Sequence, residues 1–255
     1  MTKNQRPILF IVILLFLRIP LLFLGSFGVI SKDLSLVIYL LFTYLFTALF
    51  IGKYVDNLEQ YYITPTSLII FLAAPILGIL TMPFDPIVYL RGIISLILGG
   101  YLIKREYFKF EKFNKLEYRL SNLLVFIAFI FAFILLNKYV LGKNLDLFKI
   151  NSYEFLDTFA FQLSFAPVSE EPLFRGIMMG EMIKRKTPPA VAIAIQGGIF
   201  WFAHIYYANT GLNFWVLHPI ISIMLGILVY KGKSITNSIL FHGLVNTLGS
   251  IFLRS

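Results

Sequence analysis

Residues 166–176 read Ala-Pro-Val-Ser-Glu-Glu-Pro-Leu-Phe-Arg-Gly, and they place two adjacent glutamates and an arginine inside a long apolar stretch. On insertion scales, each charged side chain near the middle of a bilayer-spanning helix costs about 2.5–3.5 kcal/mol. Glu170, Glu171 and Arg175 together therefore cost about 7–10 kcal/mol before any pairing between them. A membrane protein rarely keeps such an arrangement for packing alone, so this stretch is the first candidate for a functional site.

The composition is that of a polytopic membrane protein. The chain has 255 residues, of which 58% are hydrophobic and only 14% are charged, whereas a soluble domain carries about 25% charged residues. It has no cysteine, which excludes a disulfide framework, a thiolate metal site and a cysteine nucleophile. The net charge of +9 does not indicate a nucleic-acid partner, because an excess of Lys and Arg in a membrane protein mostly marks the cytoplasmic loops.

Nine apolar stretches are long enough to cross about 30 Å of hydrocarbon. They lie at residues 8–30, 34–52, 66–82, 86–103, 120–136, 155–183, 190–208, 212–230 and 234–252. The first contains Arg18 and Pro20, and the third and fourth are separated by a very short linker. We therefore predict an all-α transmembrane bundle of eight or nine helices, in which the first stretch is a transmembrane helix rather than a cleaved signal peptide.

The distribution of Lys and Arg predicts the orientation of this bundle. If the N-terminus is cytoplasmic, fourteen basic residues fall in inner segments and five in outer ones. The clearest assignments are the cluster 184–186 inside, the uncharged segment 205–213 outside, and Lys231 with Lys233 inside. We expect an integral protein of the cell membrane with a cytoplasmic N-terminus, and the lipid bilayer as its surroundings.

Three further polar residues lie within the C-terminal apolar stretches: His204, His242 and Asn246. His242 and Asn246 are four residues apart and share one helix face. Counted at 1.5 Å per residue from the cytoplasmic ends of their predicted spans, Glu170, His204 and Asn246 lie about 18–21 Å deep, and His242 about 12 Å. Side chains from three spans at comparable depth are expected to converge on one buried site.

The two glutamates are expected to differ in role, because adjacent helical residues point about 100° apart. Glu171 and Arg175 are spaced i,i+4 with the acid first, which favours a structural ion pair. Glu170 is then left to face the histidines. A desolvated carboxylate can act as a general base, and imidazole and carboxamide donors can stabilise an oxyanion. This set of groups suits hydrolysis of an amide bond.

A structural interpretation exists for each of these residues. A single histidine or asparagine inside a membrane is more often an interhelical hydrogen-bonding group than a catalyst. Glu170 has Arg91 and Arg18 as alternative ion-pair partners. Four other polar residues are expected to be structural or to line a wet cavity: Asp157, Gln162, Gln196 and His218.

The motifs resemble those of the CAAX protease and bacteriocin-processing (CPBP, or ABI) family of intramembrane proteases. Residues 166–176 are similar to its EExxxR motif, residues 200–204 to FxxxH, and residues 242–246 to HxxxN. The resemblance covers roughly residues 155–250, so residues 151–255 are expected to form the catalytic core and residues 1–150 N-terminal transmembrane helices of unassigned role. Pro172 departs from the usual aliphatic residue, and we expect it to kink or end the helix.

The resemblance implies that Glu170 and His204 activate the hydrolytic water, that His242 and Asn246 form the oxyanion hole, and that Glu171 and Arg175 support the site. Glu170, His204 and His242 are conceivable zinc ligands, but no HExxH pair is present, and chemistry without a metal or cofactor is favoured. The expected substrate is a peptide or a membrane-associated protein, cleaved near the cytoplasmic side of the bilayer.

Two functions from other classes remain open. The first is a non-catalytic bacteriocin self-immunity or scaffold protein that binds a peptide in the same cavity. The second is a proton-coupled transporter, since buried acid and histidine groups also build proton relays. A transporter predicts inverted repeats and paired broken helices, which the sequence does not show.

Overall fold

The computed structural model describes residues 13, 20–21, 24–25, 27–82, 86–109, 120–142 and 151–253. Within these residues every regular element is a helix, which confirms the predicted all-α class. Most of the first predicted span, residues 8–30, lies outside the described residues.

Nine α-helices make up the described part of the chain. They are α1 Lys32–Lys53, α2 Pro65–Thr81, α3 Pro86–Lys104, α4 Leu120–Leu141, α5 Ser152–Ser164, α6 (Ala166–Glu171, a π turn Pro172–Met178, then Met179–Lys184), α7 Pro189–Phe202, α8 (a π turn Asn213–Leu217, then His218–Gly232) and α9 Thr236–Leu253. Two 3-10 helices, Val55–Tyr61 and Ile205–Thr210, precede α2 and α8.

Three stretches in the described part are long and apolar enough to cross a membrane: Asp33–Lys53, Pro86–Lys104 and Asn213–Gly232. A fourth is added if Val55–Tyr61 and α2, which are bent by 101°, count as one broken span. Several of the other predicted spans correspond to shorter helices. For example, the apolar part of α4 is Leu123–Leu136, and α7 has only 14 residues.

The predicted span 155–183 is wrong as a single helix. The chain breaks at Phe165, whose φ of −110° and ψ of −99° are not helical, so that α5 ends at Ser164 and α6 begins at Ala166. Pro167 favours a helix start at this point, because it has no N–H to donate to a carbonyl four residues earlier and is tolerated in the first turn of a helix, where it lies here. The first motif therefore lies at the beginning of a helix rather than in the middle of one.

The basic ends of the helices lie together at one end of the bundle. Arg105 forms an ion pair with Asp56 at 2.9 Å, the Tyr61 hydroxyl donates to Glu181 at 3.3 Å, and the Lys233 ammonium lies 5.7 Å from the centre of the Tyr62 ring. We call this region the basic end. Its basic residues are Lys53, Lys104, Arg105, Lys109, Lys184, Arg185, Lys186, Lys231 and Lys233.

Close packing holds α6 against the N-terminal helices. A Cβ atom added to Gly180 would lie 2.9 Å from the Cα of Tyr61, so only glycine allows the two backbones this approach. In the N-terminal half, the Tyr44 ring stacks on Phe71 at 4.3 Å and its hydroxyl donates to the Phe71 carbonyl at 2.8 Å. The core that results supports α6 along its length.

Candidate active site

The ion pair predicted between Glu171 and Arg175 is confirmed. Arg175 Nη1 donates to Glu171 Oε1 at 3.0 Å, and both side chains are completely buried. The Arg175 guanidinium also donates to the Ser222 carbonyl at 3.3 Å and lies 3.9 Å from the centre of the Phe200 ring. One arginine thus joins α6 to α7 and α8, and the Phe200 ring at the start of the second motif covers its charge.

His242 contacts Glu171. The distance from its Nδ1 to Glu171 Oε1 is 2.7 Å, so this oxygen accepts from both His242 and Arg175. From the sequence we expected both histidines to face Glu170. The structure differs for His242, which contacts Glu171 instead. Since a carboxylate oxygen only accepts, Nδ1 carries the hydrogen, and Nε2 is left for a ligand. The contact fixes both the tautomer and the orientation of the imidazole.

Glu170 is paired with His204. Glu170 Oε2 and His204 Nε2 are 3.8 Å apart, and both side chains are buried. The other ring nitrogen, His204 Nδ1, lies 2.7 Å from the Phe200 carbonyl oxygen. Because a carbonyl can only accept, Nδ1 carries the hydrogen, and the basic Nε2 lies on the Glu170 side. Two proton acceptors therefore lie side by side.

The position of His204 corrects the predicted span 190–208. Helix α7 ends at Phe202, and His204 precedes the 3-10 helix Ile205–Thr210. His204 Nδ1 hydrogen-bonds to the Phe200 carbonyl oxygen. In a continuing helix this oxygen would accept a hydrogen bond from the His204 backbone N–H. The His204 N–H bonds instead to the Trp201 carbonyl at 2.9 Å. Such competition by a side chain is a known way to end a helix.

Both π turns of the described chain adjoin site residues. The first, Pro172–Met178, follows Glu171 directly. The sequence led us to expect that Pro172 kinks or ends the helix, but the helix continues through it as a wider π turn. Proline cannot donate to the carbonyl four residues earlier, which removes one α-helical hydrogen bond at this point. The second, Asn213–Leu217, ends immediately before His218. π turns are frequent at functional sites because they redirect side chains.

His218 was interpreted as structural, and the structure places it beside His204. The centres of the two rings are 5.7 Å apart, and Tyr207 lies 6.4 Å from His204 and 6.0 Å from His218. His218 Nδ1 is 3.1 Å from the Asn213 carbonyl oxygen. Depth along the helix could have revealed this proximity, since His218 precedes the end of α8 at Gly232 by fourteen residues, or about 21 Å.

Asn246 lies one helical turn beyond His242 on α9 and is half-buried. Among the described residues its carboxamide has no hydrogen-bond partner, so its donor is available to a ligand. The structure therefore joins Glu170 with His204, and His242 with Glu171 and Arg175, while Asn246 lies one turn away from His242 on α9.

Arg91, Gln162 and Gln196 make structural contacts. Arg91 Nη2 donates to the Phe165 carbonyl at 3.2 Å and to Ser169 Oγ at 3.1 Å, which secures the break before α6. Gln162 donates to Ser250 at 2.9 Å and Gln196 to the Ile193 carbonyl at 3.1 Å. Arg18 lies outside the described residues. Within them, no three His, Cys, Asp or Glu side chains are grouped to hold one metal ion.

Residues 151–248 match the family model of type II CAAX prenyl endopeptidase Rce1-like proteins. This match confirms the resemblance to the CAAX protease and bacteriocin-processing family, and it covers α5 to α8 and most of α9. Together with the apolar helices, it supports an integral membrane peptidase of the CAAX protease type. No curated protein and no solved structure matches the chain.

Proposed function

We propose that the protein is an intramembrane endopeptidase in which Glu170 and His204 activate a water molecule that attacks a peptide bond. The observation that carries this proposal is the 3.8 Å separation of Glu170 Oε2 and His204 Nε2, with the His204 tautomer fixed by the Phe200 carbonyl. Hydrogen bonds to water are about 2.8 Å long, so a water lying beside the pair can donate one hydrogen to each acceptor.

This arrangement is suited to general-base catalysis. As the water oxygen attacks the carbonyl carbon, its proton passes to the Glu170–His204 pair, and the pair returns a proton to the nitrogen when the C–N bond breaks. Low exposure of both side chains, 1% for Glu170 and 9% for His204, keeps bulk water away and strengthens these interactions. The pair thus serves as base and then as acid.

His242 and Asn246 are proposed to stabilise the oxyanion. With His242 Nδ1 bonded to Glu171, a protonated imidazole presents its Nε2 hydrogen to the substrate oxygen, and the Asn246 carboxamide adds a second donor. Glu171 Oε1 accepts from both His242 Nδ1 and Arg175 Nη1, which holds the imidazole in place. Glu171 and Arg175 therefore support the site without contacting the substrate.

The proposed substrate is a peptide or a membrane-associated protein, and the proposed chemistry requires no metal. We expect cleavage of a peptide carrying a prenylated CAAX terminus by the purified protein, with activity unchanged after dialysis against a metal chelator. Loss of activity on chelation, restored by Zn²⁺, would replace the proposed mechanism with a metal-dependent one.

The catalytic assignment is tested with Glu170→Gln and His204→Ala. Each variant removes one proton acceptor, and loss of general-base catalysis typically lowers the rate about 10²–10⁴-fold. The matched control is Glu154→Gln, because Glu154 is an exposed glutamate on α5. Retention of full activity by either site variant in a folded, purified state contradicts the assigned roles.

The same variants separate the peptidase from a bacteriocin-immunity protein that binds its peptide without cleaving it. Glu170→Gln preserves the size and polarity of the side chain but removes the base. If cells carrying this variant remain protected from a peptide toxin as well as cells carrying the native protein, binding rather than hydrolysis is the function.

A further inference from the structure

An arginine of the N-terminal half lies buried against the start of α6. Arg91 belongs to α3, one of the stretches long and apolar enough to cross a membrane, and its exposed fraction is 1%. A charged residue within a span is costly and is therefore a candidate for a functional role. Arg91 lies outside residues 151–248, so the family match assigns it no role.

Arg91 closes a triangle of hydrogen bonds across the break between α5 and α6. Its Nη2 carries two hydrogens, and it donates to the Phe165 carbonyl at 3.2 Å and to Ser169 Oγ at 3.1 Å. Ser169 Oγ in turn donates to the Phe165 carbonyl at 2.9 Å. Phe165 is the residue at the break, and Ser169 lies in the first turn of α6. The guanidinium therefore fixes this turn relative to the end of α5.

Two aromatic rings hold the guanidinium in place. Its central carbon lies 5.0 Å from the centre of the Tyr44 ring and 5.1 Å from the centre of the Phe165 ring. Tyr44 is itself fixed, because its ring stacks on Phe71 and its hydroxyl donates to the Phe71 carbonyl. Cation–π contacts are stronger away from water, so Arg91 is a firm link between α1, α3 and the start of α6.

The turn that Arg91 fixes also carries the proposed base, because Glu170 directly follows Ser169. Adjacent helical residues point about 100° apart. The rotation of this turn therefore decides whether Glu170 or Glu171 faces His204. Misplacement of a reacting group by about 1 Å can lower the rate about 10²-fold, so a looser first turn of α6 would weaken catalysis without any change in the reacting groups themselves.

The charge of Arg91 also balances the buried site. In the described part of the chain, four charged side chains are at most 1% exposed: Arg91, Glu170, Glu171 and Arg175. Two are acidic and two are basic, so their formal charges cancel. Arg175 pairs with Glu171, and Arg91 supplies the second positive charge. An opposite charge nearby lowers the cost of burying a carboxylate.

We infer that Arg91 is a positioning residue for Glu170. It fixes the first turn of α6 so that Glu170 faces His204, and its charge balances the Glu170 carboxylate. The role of Glu170 as a base rests on the proposed function, whereas the coupling between the two residues requires no turnover. The inference gives α3, in the N-terminal half of otherwise unassigned role, a direct part in building the site.

The coupling is measured by a double-mutant cycle of Arg91→Gln and Glu170→Gln. Arg91→Gln keeps a nitrogen with two hydrogens but removes the positive charge, and Glu170→Gln removes the negative one. We expect Arg91→Gln to raise the unfolding equilibrium constant in mixed detergent micelles. The increase should be about tenfold smaller in the Glu170→Gln background, where no carboxylate is left without a balancing charge.

The matched control is Arg105→Gln, because Arg105 forms an exposed ion pair with Asp56 at the basic end. Its effect on unfolding should be the same in both backgrounds. Equal effects of Arg91→Gln in the two backgrounds overturn the inference. If Arg91→Gln alone does not fold, the double variant decides: we expect it to fold, and its failure to fold also overturns the inference.

Kinetic measurements test whether this coupling serves catalysis. Arg91 contacts Phe165, Ser169 and Tyr44 rather than the reacting atoms. We therefore expect Arg91→Gln to lower kcat about 10²-fold with KM unchanged. Arg91→Lys, which keeps the charge and can donate to both acceptors, should recover most of this loss.

Full kcat in a folded Arg91→Gln protein overturns the positioning role, as does a change confined to KM or an Arg91→Lys protein no faster than Arg91→Gln. The two proposals fail separately. Coupling in the unfolding cycle without cleavage by the native protein rejects the peptidase and keeps Arg91 coupled to Glu170. Cleavage by the native protein without coupling keeps the peptidase and rejects the inference.

Discussion

Substitution of the buried pair Glu171 and Arg175 tests whether these residues contribute to the stability of the protein, to its peptidase activity, or to both. Both side chains are completely buried, and their closest atoms are 3.0 Å apart. Removing one partner of such a pair leaves an uncompensated buried charge and costs about 3–5 kcal/mol, whereas replacing both by apolar residues is often nearly neutral. We therefore expect Arg175→Met and Glu171→Leu each to destabilise the protein by about that amount.

The double variant Glu171→Leu/Arg175→Met is expected to recover most of this loss. A cost of about 3–5 kcal/mol changes the unfolding equilibrium constant by roughly two to three and a half orders of magnitude, which is measurable by unfolding in mixed detergent micelles. The remaining cost has two sources. The Ser222 carbonyl loses its donor, Arg175, and His242 Nδ1 loses its acceptor, Glu171. We estimate this remainder at about 1–3 kcal/mol.

Activity should not recover with stability. In the double variant no carboxylate accepts from His242 Nδ1, so the imidazole loses the contact that fixes its tautomer and orientation. We expect peptidase activity near that of His242→Ala despite a folded protein. A double variant that is as unstable as the sum of the single variants refutes the coupling, and one that is stable and fully active refutes the role given to Glu171.

Two further predictions concern packing. Gly180→Ala is expected to destabilise the protein by about 1–3 kcal/mol, because its Cβ would lie 2.9 Å from the Tyr61 backbone. The control is Gly198→Ala in α7, because its Cβ would meet nothing within 4 Å. This control should stabilise the protein by about 0.5–1 kcal/mol. If unfolding experiments show the same change in stability for both variants, the close approach of Gly180 to Tyr61 is contradicted. His218→Phe should keep at least a tenth of native activity, since its ring packs beside His204 without contacting Glu170, and a loss as large as that of His204→Ala would make His218 part of the catalytic machinery.

The parts of the site that the sequence predicted follow from helix geometry within short segments. An acid and a base spaced i,i+4 lie on one helix face, and Glu171 and Arg175 indeed form an ion pair. Equal depth along two helices also brought Glu170 and His204 to the same level, where they are 3.8 Å apart. Both conclusions were drawn from the rise and turn of a regular helix, and they hold although Arg175 lies in the π turn and His204 lies two residues beyond the end of α7.

The partner of His242 could not be predicted in the same way. Which of two adjacent carboxylates faces α9 depends on the rotation of α6 about its axis, and the break at Phe165 and the π turn that begins at Pro172 set that rotation. A proline in the sequence indicates that the hydrogen-bond pattern changes. It does not indicate whether the chain stops, bends or widens, because tertiary contacts such as that of Arg91 with Phe165 decide the outcome.

The irregular backbone is itself an argument for a hydrated site. Three departures from a regular helix lie next to the proposed catalytic pair: the break at Phe165, the π turn after Glu171 and the end of α7 before His204. Each leaves backbone groups outside the regular hydrogen-bond pattern, and in hydrocarbon every such group costs several kcal/mol unless protein or water satisfies it. Helices that only anchored the protein in lipid would gain nothing from this cost. Its concentration around one carboxylate and one imidazole is what a pocket that admits water and a peptide backbone requires.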